Sequence, residues 1–268
     1  MSNKPFVPAE DLSKMWRAII EFDMLQPGDR ILIGLSGGKD SMFLTAALAE
    51  IKKYSPIPFD LACYTVNAMF APDFPKKELE EFCAAYGLQH YSDDVDINAV
   101  WQNKSATPCF TCAYFRRAAT NRRALELGFN KIALAHHHDD AVETFFMNIV
   151  TSGQLRSFLP VTPLSRTGLT VLRPLLYYRE KEIIDLVHKL DLHPLKNPCP
   201  YDGHTTRQDV KEHIAALDAR YPEIYDHLAA AMRCSDKQEL WPGKLSQKEL
   251  AQKFREFWGN KKSTNFHK

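Results

Sequence analysis

The sequence predicts an α/β protein, with a parallel sheet covered by helices on both faces and a mostly helical C-terminal part. Through the first two thirds of the chain, short apolar runs alternate with segments whose apolar residues recur at helical spacing. Strand and helix in turn are typical of a parallel sheet, because each connection crosses a face of the sheet. After Tyr178 only the helical spacing continues, so the C-terminal part is predicted to be mostly helical.

The predicted elements begin with an amphipathic helix that ends near Met24 and is followed by a turn at residues 27–29. Five strands are predicted, at residues 30–35, 59–66, 88–92, 131–135 and 169–172. The later helices are predicted at residues 40–53, 76–86, 110–127, 139–150, 179–190, 206–217, 223–233 and 246–258. The helix that ends at residue 127 is followed by Gly128, which easily adopts the left-handed conformation of a helix C-cap.

Length and composition predict one large domain, or one domain with a small appendage, because 268 residues with 45% hydrophobic content are enough for a sizeable core. We divide the chain into an N-terminal arm and helix (1–29), a nucleotide-binding domain (30–198) and a helical C-terminal region (199–268). The net charge of +1 gives no general electrostatic argument for nucleic acid, although a local basic patch would suffice.

No apolar run approaches the roughly 20 residues that a membrane-spanning helix needs, and residues 1–14 lack the apolar core of a secretory signal. We therefore expect a cytoplasmic protein without a membrane partner. Six cysteines in a reducing compartment are unlikely to form disulfides, and the closely spaced ones are better candidates for metal ligands or reactive thiols.

The string Ser36-Gly37-Gly38-Lys39-Asp40-Ser41 lies between a predicted strand and a predicted helix. Glycines allow the backbone to turn tightly around an anion, and the helix that follows directs the positive end of its dipole to the same place. The serine hydroxyls and Lys39 add donors, and Asp40 is a candidate ligand for Mg²⁺. The alternative is a glycine-rich turn without a ligand, but the full string in this context predicts a phosphate site.

A Cys-x-x-Cys pair, Cys109 and Cys112, precedes a predicted helix whose N-terminus favours thiolates. Cys199, in a proline-bounded loop, is a candidate third ligand. Three thiolates are able to hold zinc or an iron–sulfur cluster, but structural zinc normally has four protein ligands, whereas a cubane cluster on three cysteines keeps one iron open. A redox pair is the alternative interpretation of the two closely spaced cysteines. The other cysteines are Cys63 and Cys83, predicted to be packing residues, and Cys234, which has no partner by spacing.

The segment from Ala135 to Asp140 follows a predicted strand and opens a helix. Asp139 and Asp140 are favourable in a first helical turn, so a plain helix cap is one interpretation. The other is that the segment faces a nucleotide, with an aspartate serving Mg²⁺ or acid–base chemistry. Arg116 and Arg117 follow the cysteine pair and are candidates to offset developing negative charge, or else lie on a solvated helix face.

The glycine-rich string and the apolar strand before it resemble the signature of the PP-loop ATP pyrophosphatases. The resemblance implies cleavage of ATP between the α- and β-phosphates, activation of a carbonyl oxygen as an adenylate, and displacement of AMP by nitrogen or sulfur. It also implies that the adenine lies near Gly34, Leu35, Val66 and Asn67, beyond the carboxyl ends of the strands.

Further motifs, in the same order and spacing, resemble the TtcA-like tRNA thiolases, which make 2-thiocytidine in the anticodon loop. The resemblance covers most of the chain and implies a tRNA substrate, ATP, Mg²⁺, a sulfur donor such as a cysteine desulfurase, and a homodimer. By position it implies a [4Fe-4S] cluster on Cys109, Cys112 and Cys199. It places Ala135 and His136 in the nucleotide site and implies catalytic roles for Asp40, Arg116, Asp139 and Asp140. The motifs that carry it are Cys109–Cys112 with Arg116 and Arg117, residues 134–140, 172–175, 179–182, and 198–199.

The sequence departs from the family at several positions. Ala135 stands where the family usually has glycine, His138 stands where it usually has arginine, and Asp202 takes the place of a fourth cysteine. The loop at 68–72 is apolar where the family is polar. An adenylating enzyme for another RNA base or a small heterocycle is therefore the second hypothesis, and a cluster- or zinc-binding nucleotide sensor without turnover is the third.

Overall fold

A computed structural model describes residues 6–70, 73–100, 108–195, 206–233 and 245–259. The strands are β1 (Asp29–Gly34), β2 (Phe59–Asn67), β3 (Gln89–Asp94), β4 (Lys131–Ala133), β5 (Val161–Pro163) and β6 (Thr170–Leu172). The helices are α1 (Ser13–Glu21), α2 (Lys39–Tyr54), α3 (Lys76–Ala85), α4 (Ile97–Val100), α5 (Pro108–Glu126), α6 (His138–Ser152), α7 (Glu180–Lys189), α8 (Thr206–Arg220), α9 (Ile224–Arg233) and α10 (Gln247–Gly259), and a short 3₁₀ helix (Ala9–Leu12) precedes α1.

The described strands form one sheet in the order β3-β2-β1-β4-β6-β5. All neighbours are parallel except β5, which pairs antiparallel with β6. The predicted fold class is therefore confirmed. From β1 the chain moves outward to β2 and β3, then returns to the other side of β1 with β4. This reversal opens a crevice beyond the carboxyl ends of β1 and β4, where open α/β sheets bind their ligands.

Strand β1 shows why the sheet is covered on both faces. Ile31 and Ile33 are buried in one core cluster, whereas Leu32 between them is buried in another. Side chains alternate between the two faces of a strand, so an uninterrupted apolar run indicates burial on both. Helices α1, α2, α3 and α7 contribute to the first cluster and α5 to the second. A third cluster joins α6 to α8 and α9 through Val142, Val210, Ile214 and Tyr225.

Gly128 ends helix α5 as predicted. Its φ is +71°, and the N–H of Phe129 donates to the carbonyl of Ala124 at 2.8 Å, the longer bond of a Schellman cap. Most predicted boundaries lie within two residues of those in the structure. Helix α1 ends at Glu21 rather than near Met24, α8 ends at Arg220 rather than at residue 217, and the short α4 was not predicted. Strand β4 ends at Ala133 rather than at residue 135, and β5, a three-residue strand, was not predicted because such a run is too short to show a period.

Compact packing divides the chain into two units, residues 1–232 and 233–268. Helices α8 and α9 belong to the first unit, which contains the sheet, and α10 is the helix described in the second. The domain boundary predicted at residue 199 lies outside the described residues and stays a prediction. Within the described ranges, no helix combines the length and apolarity needed to cross a membrane.

Candidate active site

The loop between β1 and α2 is closed on itself by hydroxyl groups. Ser41 Oγ donates to the carbonyl oxygen of Gly38 at 2.9 Å and lies 3.1 Å from Ser36 Oγ. Gly38 is the N-cap of α2 and no side chain caps the helix. The N–H groups of the first helical turn therefore have no capping partner within the helix, which is the arrangement that binds phosphate oxygens.

Gly37 makes the tight turn of this loop. Its φ is +83°, a region that residues with a Cβ rarely adopt. The Leu195 side chain occupies the space that a Cβ would need, at 3.1 Å, and the Leu195 N–H donates to the Gly37 carbonyl at 2.9 Å. Position 37 therefore requires glycine for both its conformation and its packing.

Asp40 lies in the first turn of α2 with its two carboxylate oxygens in different situations. Oδ2 is 3.0 Å from Lys39 Nζ. Oδ1 is buried and has no hydrogen-bond partner among the described residues. Carboxylate oxygens are the protein ligands that Mg²⁺ prefers, so an unsatisfied one beside a phosphate-type loop fits a magnesium ion carried on phosphates.

Glu180, the first residue of α7, connects the loop to helix α8. Its carboxylate lies 3.0 Å from Lys39 Nζ and 2.5 Å from Lys211 Nζ. Burial acts to raise the pKa of Glu180, but the hydrogen bonds from Lys211 and Lys39 outweigh it and hold this pKa at about 2. The glutamate is therefore ionised and fixes both lysines at the crevice. Sequence analysis noted residues 179–182 as a motif but assigned Glu180 no role in the site.

The start of α6 is a reciprocal cap. His137, the N-cap, accepts the N–H of Asp140 at Nδ1 (3.4 Å), and Asp140 Oδ2 accepts the N–H of His137 (3.0 Å). The remaining oxygen, Oδ1, accepts from Arg207 Nη1 of α8 at 2.8 Å. The expected helix cap is thus present, with His137 as the N-cap and Asp139 and Asp140 in the first turn. A role of Asp140 in catalysis stays a prediction.

Asp139 is buried, and both of its oxygens have partners. The Arg179 Nε donates to them at 3.0 and 3.2 Å, and the N–H of Glu180 donates to Oδ2 at 2.7 Å. The Arg179 guanidinium also stacks on the Tyr225 ring, 3.9 Å from its centroid. Asp139 therefore positions the start of α7 and with it the carboxylate that holds Lys39. A direct catalytic role for Asp139 stays a prediction.

Glu143 lies one turn further along α6 and is only 4% exposed. Burial and the negative charge of Asp140 raise the pKa of Glu143 to about 7, against the opposing charges of Arg207 and Lys211. Sequence analysis missed this residue, because a glutamate in a helix gives no signal of its burial.

Glu143→Gln is expected to stabilise the protein at alkaline pH. The raised pKa means that the folded state keeps a proton that the unfolded state loses, so the stability of the wild type falls between pH 4.5 and 7. The variant does not lose stability in this way. Its free energy of unfolding, relative to that of the wild type, should therefore rise by up to ~3 kcal/mol between pH 5 and pH 8. Urea unfolding at both pH values measures it, with the exposed Glu78→Gln as control. A difference that does not change with pH would contradict the assignment.

The residues predicted to face adenine lie at the ends of adjacent strands. Gly34 ends β1, and the N–H of Leu35 donates to the carbonyl of Tyr64 in β2 at 2.9 Å. Val66 and Asn67 end β2. Ala135 and His136 follow β4, on the other side of β1. The structure therefore brings the predicted nucleotide residues to one edge of the sheet, and their contact with a nucleotide stays a prediction.

The predicted cluster ligands are only partly described. Cys112 is half-buried in α5, and Cys109 lies one turn earlier in the same helix. The side chain of Cys109 and all of Cys199 lie outside the described residues. Among the residues that are described, no group of three metal-binding side chains is assembled. Arg116 is exposed on α5, one turn after Cys112.

The packing role predicted for Cys63 and Cys83 is confirmed, since both are fully buried. A hydrogen bond between the two thiols, together with burial, raises the pKa of Cys63 well above its usual value. Neither thiol is therefore accessible as a reactive group would be, and the Cys63 thiol stays protonated at neutral pH.

A parallel sheet with a phosphate-type loop and an acidic helix start at its switch point defines a nucleotide-binding α/β enzyme. A model of the PP-loop domain matches residues 10–217. The tRNA-cytidine(32) 2-sulfurtransferase of Aliivibrio salmonicida is 34% identical over 221 residues, which are 81% of this chain and 72% of that protein. The protein of the same name from Ralstonia pickettii is 33% identical over 225 residues, 82% of this chain and 71% of its own length. This chain belongs to the PP-loop family and, within it, to the family of the tRNA 2-sulfurtransferases.

A solved structure shares the fold. The U34-tRNA thiolase of Methanococcus maripaludis, determined with its [4Fe-4S] cluster, superposes with a TM-score of 0.67 at 24% identity, covering 89% of this chain and 84% of that one. At this identity the likeness shows the fold alone. It agrees with the mostly parallel sheet and with the switch point described above.

Proposed function

We propose that this enzyme uses ATP to adenylate the carbonyl oxygen of a cytidine in the tRNA anticodon loop and then replaces that oxygen by sulfur. The observation that carries the proposal is the loop at residues 36–41. It sits at the switch point with an unsatisfied Asp40 oxygen, in a chain one third identical to tRNA-cytidine 2-sulfurtransferases.

The loop and its neighbours account for the first step. The N–H groups at the start of α2 and the hydroxyls of Ser36 and Ser41 bind the phosphates, and Asp40 holds Mg²⁺, which neutralises phosphate charge. The cytidine oxygen attacks the α-phosphorus, an oxygen–phosphorus bond forms, and the bond to the pyrophosphate breaks. Lys39 and Lys211, both held by Glu180, stabilise the charge that develops on the leaving group.

In the second step, sulfur at the oxidation level of sulfide attacks the activated carbon. The carbon–sulfur bond forms, and the carbon–oxygen bond to the phosphate breaks, so that AMP leaves with the original oxygen. Arg116, exposed on α5 one turn after Cys112, is proposed to offset the negative charge of AMP. Asp140 is proposed to orient His137 and the edge of the nucleotide site through the cap described above.

The cysteines are proposed to bind a [4Fe-4S] cluster. Cys109 and Cys112 stand three residues apart in the sequence near the start of α5, and the N–H groups at a helix N-terminus favour thiolates. Thiolates are the usual ligands of such clusters, and Cys199 completes the set of three. When bound, the cluster provides an iron site that holds sulfur for transfer.

The remaining partners follow from the same proposal. The substrate is tRNA, a cysteine desulfurase or a similar donor supplies the sulfur, the chain acts as a homodimer, and the enzyme is cytoplasmic.

An ATP–pyrophosphate exchange assay tests the proposed chemistry. Exchange of labelled pyrophosphate into ATP is expected only when tRNA is present, because the acceptor of the adenylyl group is a base of that tRNA. Exchange without RNA would indicate a small-molecule acceptor, and no exchange with any substrate would indicate a sensor without turnover.

Variants of the three cysteines should lose the cluster. Reconstituted anaerobically, the wild type is expected to show the broad visible absorbance of an iron–sulfur protein. Cys109→Ala, Cys112→Ala and Cys199→Ala should each lose most of it, because three ligands are the minimum set. Cys83→Ala, which changes a buried packing thiol, is the matched control and should keep it. Absorbance that survives all three ligand substitutions would refute the cluster assignment.

A second candidate keeps the chemistry and changes the base. The segment after β2 exposes Met69, whose side chain is 47% accessible and whose φ is +56°, at the edge of the sheet where the site lies. The family usually has a polar loop here, whereas the loop of this chain is apolar in sequence. Nucleoside analysis of thiolated tRNA distinguishes a modified cytidine from another modified base.

A further inference from the structure

Arg173 is a mostly buried cation without an acidic partner among the described residues. It follows β6 directly, and its Nη1 donates to the carbonyl of Leu159 at 2.6 Å and to Thr162 Oγ1 at 2.9 Å. Its Nε is buried and has no hydrogen-bond partner in the described part of the chain. Burial lowers the pKa of Arg173 to about 10, so the side chain is still charged at neutral pH.

The other arginines of the crevice are neutralised. Arg179 pairs with Asp139 and Arg207 with Asp140. A buried cation that has neither a counter-ion nor a full set of acceptors is destabilising. Such a group is retained where a ligand supplies the missing negative charge. Arg173 is therefore suited to an anion that the free protein does not provide.

An aromatic ring lies beside this cation. The Arg173 guanidinium is 4.9 Å from the centroid of the Phe158 ring, and the His136 ring lies 5.1 Å from the same centroid. The Nδ1 of His136 is also buried without a hydrogen-bond partner among described residues. Two unsatisfied polar groups thus flank one ring, an arrangement that fits a nucleotide better than a simple ion.

The position of Arg173 separates it from the phosphate loop. The loop follows β1, His136 follows β4, and Arg173 follows β6, which is the second strand along the sheet from β1. At the usual strand spacing this places the ends of β1 and β6 about 10 Å apart. The residues predicted to lie near adenine are on β1 and β2, on the opposite side of the loop, so Arg173 lies on the side left for the acceptor. This placement assigns His136, which follows β4, to the acceptor rather than to ATP.

We propose that Arg173 binds a backbone phosphate of the RNA substrate next to the base that is modified, with Phe158 and His136 lining the place of that nucleotide. The proposal rests on the proposed function, because it takes the acceptor to be a polynucleotide. It assigns to Arg173 the role of a positioning residue for RNA and not for ATP.

The test compares Arg173→Gln with Arg166→Gln, which removes an exposed arginine from the turn of the same β5–β6 hairpin. Fluorescence anisotropy measures the affinity for an anticodon stem-loop RNA with cytidine at position 32, and calorimetry measures the affinity for a non-hydrolysable ATP analogue. Arg173→Gln should weaken RNA binding about 10- to 100-fold, as expected for a hydrogen bond to a charged group. It should leave the affinity for the analogue unchanged. Arg173→Lys, which keeps the charge, should fall between Arg173→Gln and wild type.

Thermal melting provides the readout that separates this role from a structural one. Removing the unpaired charge offsets the loss of the Arg173 hydrogen bonds to Leu159 and Thr162, so the melting temperature should change little, whereas a large fall would indicate a structural role. If the variants at positions 173 and 166 lose the same amount of affinity for RNA, Arg173 contributes only to the overall positive charge, and the proposal is overturned. If Arg173→Gln binds the ATP analogue more weakly but binds RNA as the wild type does, the proposal is also overturned, because Arg173 then contacts a phosphate of ATP.

The same measurements keep this proposal distinct from the proposed function. A wild type that binds the stem-loop and exchanges pyrophosphate with tRNA, while Arg173→Gln behaves as wild type, refutes only the role of Arg173. A wild type that does not bind the RNA refutes both.

Discussion

Asp40→Asn is expected to lower the rate of ATP–pyrophosphate exchange by about 100-fold or more, the scale on which loss of a charged group at a transferring phosphate acts. Asparagine has nearly the same shape but no charge. The substitution therefore removes the carboxylate whose Oδ1 is buried without a hydrogen-bond partner among described residues and weakens the binding of Mg²⁺. It also removes one of the two carboxylates that hold Lys39.

The measurement is exchange at increasing Mg²⁺ concentration, with folding checked by circular dichroism. Part of the lost rate should return at high Mg²⁺, because a weakened site fills by mass action. Asp60→Asn is the matched control, since this side chain is 69% exposed and pairs with Lys52 away from the loop. If Asp40→Asn exchanges pyrophosphate at the wild-type rate at low Mg²⁺, Asp40 is not a magnesium ligand.

Asp139→Ala is expected to destabilise the fold by about 3–5 kcal/mol, the cost of leaving one partner of a buried ion pair alone. The variant leaves Arg179 without its counter-ion and removes the acceptor of the Glu180 N–H at the start of α7. Because Glu180 holds Lys39, pyrophosphate exchange should fall together with stability. Asp140→Ala should cost less, about 1–2 kcal/mol, because it removes a helix cap and a bond to a partly exposed arginine.

The double variant Asp139→Ala/Arg179→Met separates the structural role from a catalytic one. Removing both partners takes away the stranded charge, so urea unfolding should show that part of the lost stability returns. If Asp139→Asn melts like the wild type but loses pyrophosphate exchange, the carboxylate acts directly in the chemistry. That result would contradict the positioning role inferred from its contacts.

The elements that the sequence predicted well are those with a long, regular pattern. Helix α2 and strand β2 are buried along most of their length. In the sequence this burial appears as apolar residues at helical spacing in α2 and as a mostly apolar run in β2. The loop at 36–41 was recognisable because its glycines, serines and lysine stand between an apolar run that predicts a strand and a segment that predicts a helix. Strand β5 had no such pattern, because its single Val161 is followed by Thr162 and Pro163, and proline in a short run argues against a strand except at a sheet edge.

The parts of the site that sequence analysis missed are the partners that come from distant segments. Glu180 meets Lys39 across 141 positions, and Arg207 meets Asp140 across 67. Ordinary helical charges reveal nothing of such pairings, which depend on how α7 and α8 pack against α2 and α6. For the same reason the sequence predicted a role for the aspartate pair at 139–140, but it did not reveal the different contacts of its two members.

Mass spectrometry of nucleosides from the tRNA of a strain that lacks the gene tests the central claim most directly. The account predicts that 2-thiocytidine disappears and returns when the wild-type gene is supplied, but not when the gene carries Asp40→Asn or Cys112→Ala. An unchanged level of 2-thiocytidine in the deletion strain, in an organism with no second gene of this family, would contradict it.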